Sequence, residues 1–390
     1  MHVTSSERAT LLRGRVAVCL LFLLSGMAIG TWTARIPSIK QNLDLSDGEL
    51  SIGLLGIAAG AIAGMQVVGR LVDRYGSVRV MLPMAFAQSV VLILPAHMPG
   101  LAGLTVALFA FGLVHGTLDV AMNANGVEVE RALGRPIMSS LHAVFSIGGF
   151  LGATTGGLLA QAAFGPGATF AAVAAVIAVL AFWATRWALS PTPHPTTPAA
   201  TPPPARGGRG VLLLGVLAFC CMIGEGAVAD WSSVYLSQDL GSSEGFAAAA
   251  YAAFSIMMTA GRLAGDRLAA RLGPVTLVRA CGTLAAGGLG LALLAGHPVA
   301  AVIGFGCFGA GLSCIVPQVF SAAGRHDPAR AGRALARVAS LGYVGFLTGP
   351  VLIGGIAELM GLPRALAVPA LLAFFVAFAV GALRTPAFTK

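Results

Sequence analysis

Apolar residues run along this chain in twelve long stretches separated by short polar connections. A stretch of about 20 apolar residues is the length that an α-helix needs to cross the hydrocarbon core of a bilayer. The pattern therefore predicts twelve transmembrane helices. Their expected ranges are residues 16–36, 50–69, 80–97, 101–123, 137–160, 166–187, 211–235, 246–265, 275–295, 299–321, 338–358 and 363–383.

A proline-rich segment divides the twelve stretches into two sets of six. Seven of the 21 prolines lie between residues 191 and 204, and such a sequence cannot continue a helix but acts as an extended spacer. We expect an all-α membrane protein of two six-helix bundles, residues 1–188 and 211–390, joined by a linker at 189–210. Short matches between the halves at offsets of 196 to 199 residues, such as 69–76 with 266–273, indicate that the bundles are pseudo-symmetric.

Basic residues are concentrated on alternate connections. Of the 24 Lys and Arg residues, 21, among them Arg262, are assigned to the termini and every second connection, and the other 3 are Arg35, Lys40 and Arg364. Basic residues near the ends of spans stay on the cytoplasmic side during insertion. The pattern predicts a multi-pass protein of the bacterial inner (plasma) membrane with both termini and the linker in the cytoplasm.

The composition agrees with a membrane protein and argues against other classes. Charged residues make up only 10% of the chain, whereas soluble domains carry about 25%. The net charge of +9 is spread along one predicted membrane face and not gathered in one patch, which argues against a nucleic-acid partner. The six cysteines lie in apolar stretches without metal or redox spacing, so we expect packing roles for them, no metal and no cofactor.

Glycine recurs at every fourth position on several of the predicted helices. Small residues at this spacing form a flat stripe on one helix face and let two backbones approach closely. The stripes comprise Gly56, Gly60 and Gly64; Gly112 and Gly116; Gly148, Gly152 and Gly156; and Gly345 and Gly349.

Ionisable side chains enter only some of the predicted spans, and such residues commonly mark transport pathways because burying them in a membrane is costly. Asp119 lies near the middle of the fourth span, with His115 and Asn123 one turn away on the same helix face. Glu225 has a similar position in the seventh span. We predict proton coupling at Asp119 and Glu225. The alternative is a structural carboxylate paired with a cation or an amide.

Further polar residues on the first, fourth, fifth, seventh and tenth spans are predicted to bind substrate in a central cavity. Trp32 and Trp231 occupy matching positions in the two halves, either as interfacial belt residues or as walls that stack on a sugar ring. A neutral polyhydroxylated ligand suits these groups, because a phosphate ester would need a central cationic clamp that the sequence does not show. The predicted substrate-binding set is Trp32, Arg35, His115, Asn123, Asn125, His142, Asp230, Trp231 and Gln318.

Over nearly its whole length the chain resembles the major facilitator superfamily. The connection after the second span is similar to the cytoplasmic signature of that family, although Ser77 and Val78 replace the usual basic pair and Arg79 follows one place late. The resemblance implies twelve helices in two bundles and a cytoplasmic gate. The residues that it assigns to this gate are Gly69, Asp73, Arg74 and Gly76, with Arg267 and Arg271 in the second half.

A more specific combination resembles the fucose-permease-like and rhizopine-transporter-like branch of the superfamily. It comprises Asp119-Val-Ala-Met-Asn123, Val127-Glu128-Val-Glu130-Arg131, Leu141-His142, Glu225-Gly226 and Asp230-Trp231. This resemblance implies proton-coupled symport of sugars or polyols by alternating access. The fifth span also resembles an antiporter signature, with Ala153 where a proline would stand, so proton-coupled efflux of a drug or metabolite is the alternative function.

We do not expect an enzyme, because the sequence has no buried nucleophile with a base at interpretable spacing, no metal cluster and no phosphate-binding loop. A membrane-embedded enzyme and a channel are the other classes considered. Without a nucleotide-binding motif, transport must use an ion or substrate gradient. The expected partners are a small-molecule substrate, protons and the lipid bilayer, and we expect a monomer.

Overall fold

The computed structural model describes residues 5–189, 208–326 and 330–383, and within them the chain is helical, without β-strands. Most of the predicted linker lies outside the described residues, as do Arg206, Arg384 and Lys390. The helices are α1 Ser5–Asn42, α2 Asp47–Tyr75, α3 Ser77–Ile93, α4 Leu101–Leu133, α5 Met138–Gln161, α6 Pro166–Trp187, α7 Gly208–Val234, α8 Glu244–Leu272, α9 Pro274–Ala295, α10 Pro298–Leu312, α11 Ile315–His326, α12 Ala331–Met360, α13 Leu362–Ala365 and α14 Ala367–Phe378.

Three short segments complete the helical elements. The segments Leu94–His97 and Val380–Leu383 are 3₁₀-helices, and Tyr235–Asp239 is a π-helical turn that follows α7. In the described chain, eleven helical segments are long and apolar enough to cross a membrane, and Leu362–Phe378 forms a shorter apolar one. The predicted all-α class with twelve crossings is confirmed.

The tenth crossing consists of two helices and not of one continuous span. The chain leaves the helix after Leu312 and resumes it at Ile315. Pro317 has no backbone N–H, so it cannot donate to the carbonyl four residues earlier, that of Ser313. Beside the break, the Ser313 hydroxyl donates to the carbonyl of Ala310 at 2.6 Å. The interruption therefore lies near the middle of an apolar segment, where irregular backbone is unusual.

The predicted glycine stripes bring helix backbones together, as the sequence pattern indicates. A Cβ atom on Gly64 would lie 2.6 Å from the carbonyl oxygen of Leu113, and one on Gly116 would lie 2.7 Å from that of Ala61. These contacts join α2 to α4. In the second half, a Cβ on Gly349 would lie 2.6 Å from the carbonyl oxygen of Ile223, which joins α12 to α7. The prediction of close helix packing along these stripes is confirmed.

Helices α2 and α8 show the internal repeat in its clearest form. Each helix has 29 residues, with Ser46 or Ser243 as the N-cap and Gly76 or Gly273 as the C-cap. The two glycines have φ angles of 86° and 75°, which side chains rarely adopt. The offset of 197 residues thus holds from one end of the helix to the other.

The chain forms two compact units that follow its two halves, with two exceptions. Unit 1 comprises Met1–Gly134, Val144–Pro204 and Ala329–Ala336, and unit 2 comprises Arg135–Ala143, Ala205–Pro328 and Arg337–Lys390. The beginning of α5 therefore groups with unit 2, and the beginning of α12 groups with unit 1. The division into bundles at residues 188 and 211 stays a prediction.

Candidate functional site

Helix α4 carries Asp119 at the middle of its length, 18 residues after Leu101 and 14 before Leu133. The Asp119 side chain is half-buried. The Asn123 side-chain amide donates to the Asp119 main-chain oxygen at 2.8 Å and to its carboxylate oxygen Oδ1 at 3.1 Å. No described residue forms an ion pair with Asp119. A neutral amide one turn away is therefore the polar neighbour of this carboxyl group.

His115 lies one turn before Asp119 and is only 4% exposed. Its ring is parallel to the ring of Phe111, with centroids 6.0 Å apart, and lies 6.4 Å from that of Phe145. Its Nδ1 atom is 3.5 Å from the Ser25 hydroxyl on α1, which is at the outer limit of a hydrogen bond. Aromatic packing thus fixes the orientation of the imidazole in unit 1.

Trp32 and Arg35, which lie toward the end of α1, are both buried. Trp32 is 3% exposed, and its ring packs against Phe170 of α6 with centroids 6.2 Å apart. Arg35 is 2% exposed, and its Nη2 donates to the carbonyl oxygen of Phe164 at 2.7 Å. That bond joins α1 to the loop before α6, so Arg35 has a structural contact in addition to its predicted role with substrate.

Asn125 belongs to a hydrogen-bonded cluster apart from Asp119. Its amide nitrogen donates to the Ser77 hydroxyl at 3.0 Å, to Glu128 Oε2 at 3.0 Å and to the main-chain oxygen of Leu189 at 3.2 Å. The Ser77 hydroxyl in turn donates to Glu128 Oε2 at 2.6 Å. The cluster joins the beginning of α3 to the last third of α4. Asn125 therefore has a structural role, and we do not include it in the proposed site.

Unit 2 contains a second half-buried acid, Glu225, and the arginine Arg262 lies near it. Arg262 Nη2 lies 3.9 Å from Glu225 Oε2, and the side chains are 10% and 26% exposed. Arg262 also interacts electrostatically with His142, whose ring contacts Phe320 edge-on at 5.9 Å. The assignment of Arg262 to a cytoplasmic connection is wrong, because α8 continues for ten residues beyond it and buries it within an apolar span.

The remaining predicted residues of unit 2 differ in exposure. Asp230 is exposed, and Gln318, four residues after the break in the tenth crossing, is 3% exposed. The Trp231 indole nitrogen donates to the main-chain oxygen of Pro350 at 3.1 Å, and Gly354 leaves space for the indole ring. This contact ties α7 to α12.

Asp73, near the end of α2, caps the beginning of α12. Its Oδ1 accepts the backbone N–H of Gly332 at 2.9 Å, and its Oδ2 lies 3.1 Å from Arg333 Nε. The first N–H groups of a helix have no partner within the helix and favour a negative charge. Gly69 allows this approach, since a Cβ there would lie 2.9 Å from Arg333 Cα. All of these residues belong to unit 1.

Asp266 makes the corresponding contact in unit 2. The backbone N–H of Ser140, in the first turn of α5, donates to both carboxylate oxygens at 3.2 Å. The helix offset of 197 pairs Asp266 with Gly69, so the carboxylate lies four residues, or about one turn, earlier in α8 than Asp73 does in α2. Because one turn returns to the same helix face, the capping contact is preserved.

Known proteins match the chain in both sequence and fold. The family model of the Major Facilitator Superfamily matches residues 18–332. The chain belongs to this superfamily. The chain is 35% identical over 340 residues to the uncharacterized transporter y4wD of Sinorhizobium fredii, a match that covers 86% of the chain and 89% of the relative. The resemblance stated from the sequence motifs is thereby confirmed.

Two solved structures share the fold of this chain. The fucose:proton symporter FucP of E. coli has a TM-score of 0.73 and 15% identity, covering 95% of this chain and 98% of that one. The human organic anion transporter MFSD10 has a TM-score of 0.77 and 15% identity, covering 95% and 99%. At this level of identity the likeness shows the fold alone.

In this superfamily member the predicted gate residues have unequal roles. Gly69 and Asp73 contact α12, and Gly76 ends α2, whereas the Arg74 guanidinium lies 5.2 Å from the centre of the neighbouring Tyr75 ring. Arg267 and Arg271 are exposed, and the adjacent Asp266 makes the contact in unit 2. Arg262, Asp266 and Arg333 are residues that the sequence motifs did not identify. None of the six cysteines, all of which lie in the described residues, forms a disulfide, and the described residues include no group of three or more His, Cys, Asp or Glu suited to a metal ion.

Proposed function

We propose that this protein is a secondary active transporter of the bacterial inner membrane that takes up a small sugar-like or polyol substrate together with protons. The observation that supports it most strongly is Asp119, a half-buried carboxyl at the middle of an apolar helix with a neutral amide beside it. Acidic residues in such positions typically carry protons in pumps and transporters. Protonation would neutralise Asp119 without leaving a cation unpaired, as a reversible coupling site requires.

Glu225 is the second candidate for the coupling proton. It differs from Asp119 because the Arg262 guanidinium lies 3.9 Å away. Protonating Glu225 would remove the negative charge that lies 3.9 Å from the Arg262 guanidinium, and weakening an ion pair of an arginine that is 8% exposed is costly. We therefore assign the coupling proton first to Asp119.

The sugar-like substrate rests on the polar groups that the helices present. His115, Asn123, His142 and Gln318 can exchange hydrogen bonds with hydroxyl groups, and Asp230 and Trp231 lie toward the end of α7. The likeness in fold to a fucose:proton symporter supports the same substrate class. Each hydrogen bond to a neutral ligand would contribute about 1 kcal/mol net.

An anionic substrate is the second candidate, because Arg262 and Arg35 are buried within helices. An anionic ligand is disfavoured only when no basic group lies deep in the spans, and Arg262 is such a group. MFSD10, which shares the fold, is an organic anion transporter. Under this alternative, the protein would export an anionic metabolite or drug in exchange for protons.

The cellular arrangement belongs to the same proposal. The concentration of basic residues on alternate connections supports cytoplasmic termini and an inner-membrane location. We expect the protein to act as a monomer without a cofactor and to catalyse no chemical reaction. The contacts of Asp73 with α12 and of Asp266 with α5 would form and break as access alternates, which is the gate that the signature implies.

A ligand screen followed by transport assays tests the proposed function. The purified protein is melted in the presence of neutral sugars, polyols, sugar phosphates, organic anions and lipophilic cations, and the stabilising compounds are tested in proteoliposomes. We expect a sugar or polyol to raise the melting temperature and to accumulate when an inward proton gradient is imposed. Stabilisation by organic anions or lipophilic cations alone, with none by any sugar or polyol, would reject this substrate class and favour efflux.

A further inference from the structure

Unit 1 contains an apolar groove of about 540 Å³ between α2, α3 and α4. Val67 and Leu71 line it from α2, Pro83 and Met84 from α3, and Leu113 from α4. Val67 is 56% exposed and Leu113 is 36% exposed. The groove is therefore open at the surface of unit 1, and the helices that line it are apolar enough to cross a membrane.

The groove is separate from the proposed transport site. Leu113 and Thr117 line it from α4, and Asp119 lies on the same helix. At about 100° per residue, Asp119 is rotated by about 200° from Thr117 and about 240° from Leu113. By the shorter way these rotations are about 160° and about 120°, so the groove and the candidate coupling residue occupy different faces of α4.

One end of the groove is basic. Arg79, in the first turn of α3, lines it together with Tyr75, and the Arg74 guanidinium lies 5.2 Å from the centre of the Tyr75 ring. No described residue forms an ion pair with Arg79 or Arg74. The first turn of α3 also contains Ser77, whose hydroxyl donates to the Glu128 carboxylate. The guanidinium groups of Arg79 and Arg74 are therefore what favours an anion at this end of the groove.

The length of the groove matches one leaflet of a bilayer. Along α2 its lining runs from Ala63 to Tyr75, a rise of 12 residues. At about 1.5 Å per residue this is about 18 Å, or somewhat more than half of the ~30 Å hydrocarbon core. The basic end at Tyr75 and Arg79 lies where the charge distribution predicts the cytoplasmic surface, and the apolar end reaches the middle of the membrane.

We propose that this groove is a binding site for an anionic phospholipid of the cytoplasmic leaflet. One acyl chain lies along Val67 and Leu71, and the phosphate is bound by Arg79 at the beginning of α3. Basic pockets between transmembrane helices on the cytoplasmic side are suited to anionic head groups. The site does not depend on which substrate is carried or on the role of Asp119.

Native mass spectrometry of the purified, delipidated protein tests the head-group contact. The dissociation constant of the first bound lipid is measured for phosphatidylglycerol and for phosphatidylcholine with identical acyl chains. We expect the wild type to prefer phosphatidylglycerol about tenfold, as one charge-assisted contact allows. Arg79→Gln should remove this preference, while Arg279→Gln, which removes an exposed charge from the beginning of α9, should change it by less than twofold.

A second pair of variants tests the acyl-chain contact. Val67→Trp fills the groove and should weaken binding of phosphatidylglycerol at least fivefold, whereas Val106→Trp, at a 69% exposed position near the other end of α4, should not. Equal binding of the two lipids by the wild type would overturn the proposal. So would equal effects of Arg79→Gln and Arg279→Gln, or unchanged binding by Val67→Trp.

Discussion

Replacing Gly116 by alanine tests whether the close contact of α2 and α4 supports the candidate site. The new Cβ would lie 2.7 Å from the carbonyl oxygen, 2.8 Å from Cα and 3.1 Å from the carbonyl carbon of Ala61. These distances are shorter than the optimal separation of about 3.5–4.0 Å by up to about 1 Å. All three atoms belong to backbone, so no side chain can rotate away, and one helix must move.

The expected magnitude follows from two opposing terms. Overpacking costs typically about 1–3 kcal/mol, and backbone atoms on both sides favour the upper part of that range. Alanine gains up to about 1 kcal/mol over glycine in helix propensity. We therefore expect Gly116→Ala to destabilise the protein by about 1–2 kcal/mol. Because Asp119 lies less than one turn away, the shift should also reduce the proton-coupled uptake that we propose for this protein.

Thermal unfolding of the purified protein in one detergent provides the measurement. Gly287→Ala is the matched control, since Gly287 is also in a helix and a Cβ there would meet no atom within 4 Å. That control should melt at or slightly above the wild-type temperature, while Gly116→Ala should melt several degrees lower. If both variants melt alike, the inference that α2 and α4 cannot accommodate a methyl group at this contact is refuted.

Three further predictions concern ionisable side chains. Asp73→Ala removes the acceptor of the Gly332 N–H and the partner of Arg333, and should lower stability by about 1–3 kcal/mol in thermal unfolding; a loss no larger than that of Arg74→Ala would contradict this. In a double-mutant cycle, the losses of stability caused by Glu225→Gln and by Arg262→Gln should add up to about 1 kcal/mol or more beyond the loss in the double variant. A coupling near zero would show that the pair is not energetically linked. Hydrogen bonds from Ser46 hold the pKa of Glu49 below its usual value of 4.5. The stability that this group contributes is therefore present above that pH and is lost as the pH falls through the lowered pKa. Glu49→Gln should remove this acid-dependent part of the unfolding curve, and an unchanged acid dependence would exclude Glu49 as its source.

Hydropathy and residue spacing predict the fold well, because both depend on the sequence locally. The length of the apolar runs identifies the crossings, and glycines spaced four residues apart, such as Gly60 and Gly116 with their neighbours in the stripes, identify the helix faces where backbones meet. The helical periodicity likewise places His115 and Asn123 one turn from Asp119. These features need no knowledge of which helices are neighbours.

Partners between distant segments are not encoded in such local patterns. A basic residue such as Arg262 near the end of a predicted span is expected to lie in a connection. Only the continuation of α8 to Leu272 and the proximity of Glu225 show that it is buried. Alignment of the two halves by sequence pairs Asp266 with Gly69 and so does not identify Asp266 as the counterpart of Asp73. The two carboxylates make similar capping contacts because they lie one turn apart on the same face of matching helices. The break before Pro317 does have a local signal, since proline interrupts helical hydrogen bonds.

Proton movement by Asp119→Asn in proteoliposomes is the most direct test of the proposed mechanism. A trapped pH indicator reports protons, and labelled substrate from the ligand screen reports transport; Asp239→Asn, at an exposed acid, is the matched control. We predict that wild type and control move protons with substrate, whereas Asp119→Asn moves none and does not concentrate substrate, yet still exchanges it across the membrane. Substrate-dependent proton movement by Asp119→Asn at the wild-type rate would contradict the assignment of the coupling proton to this residue.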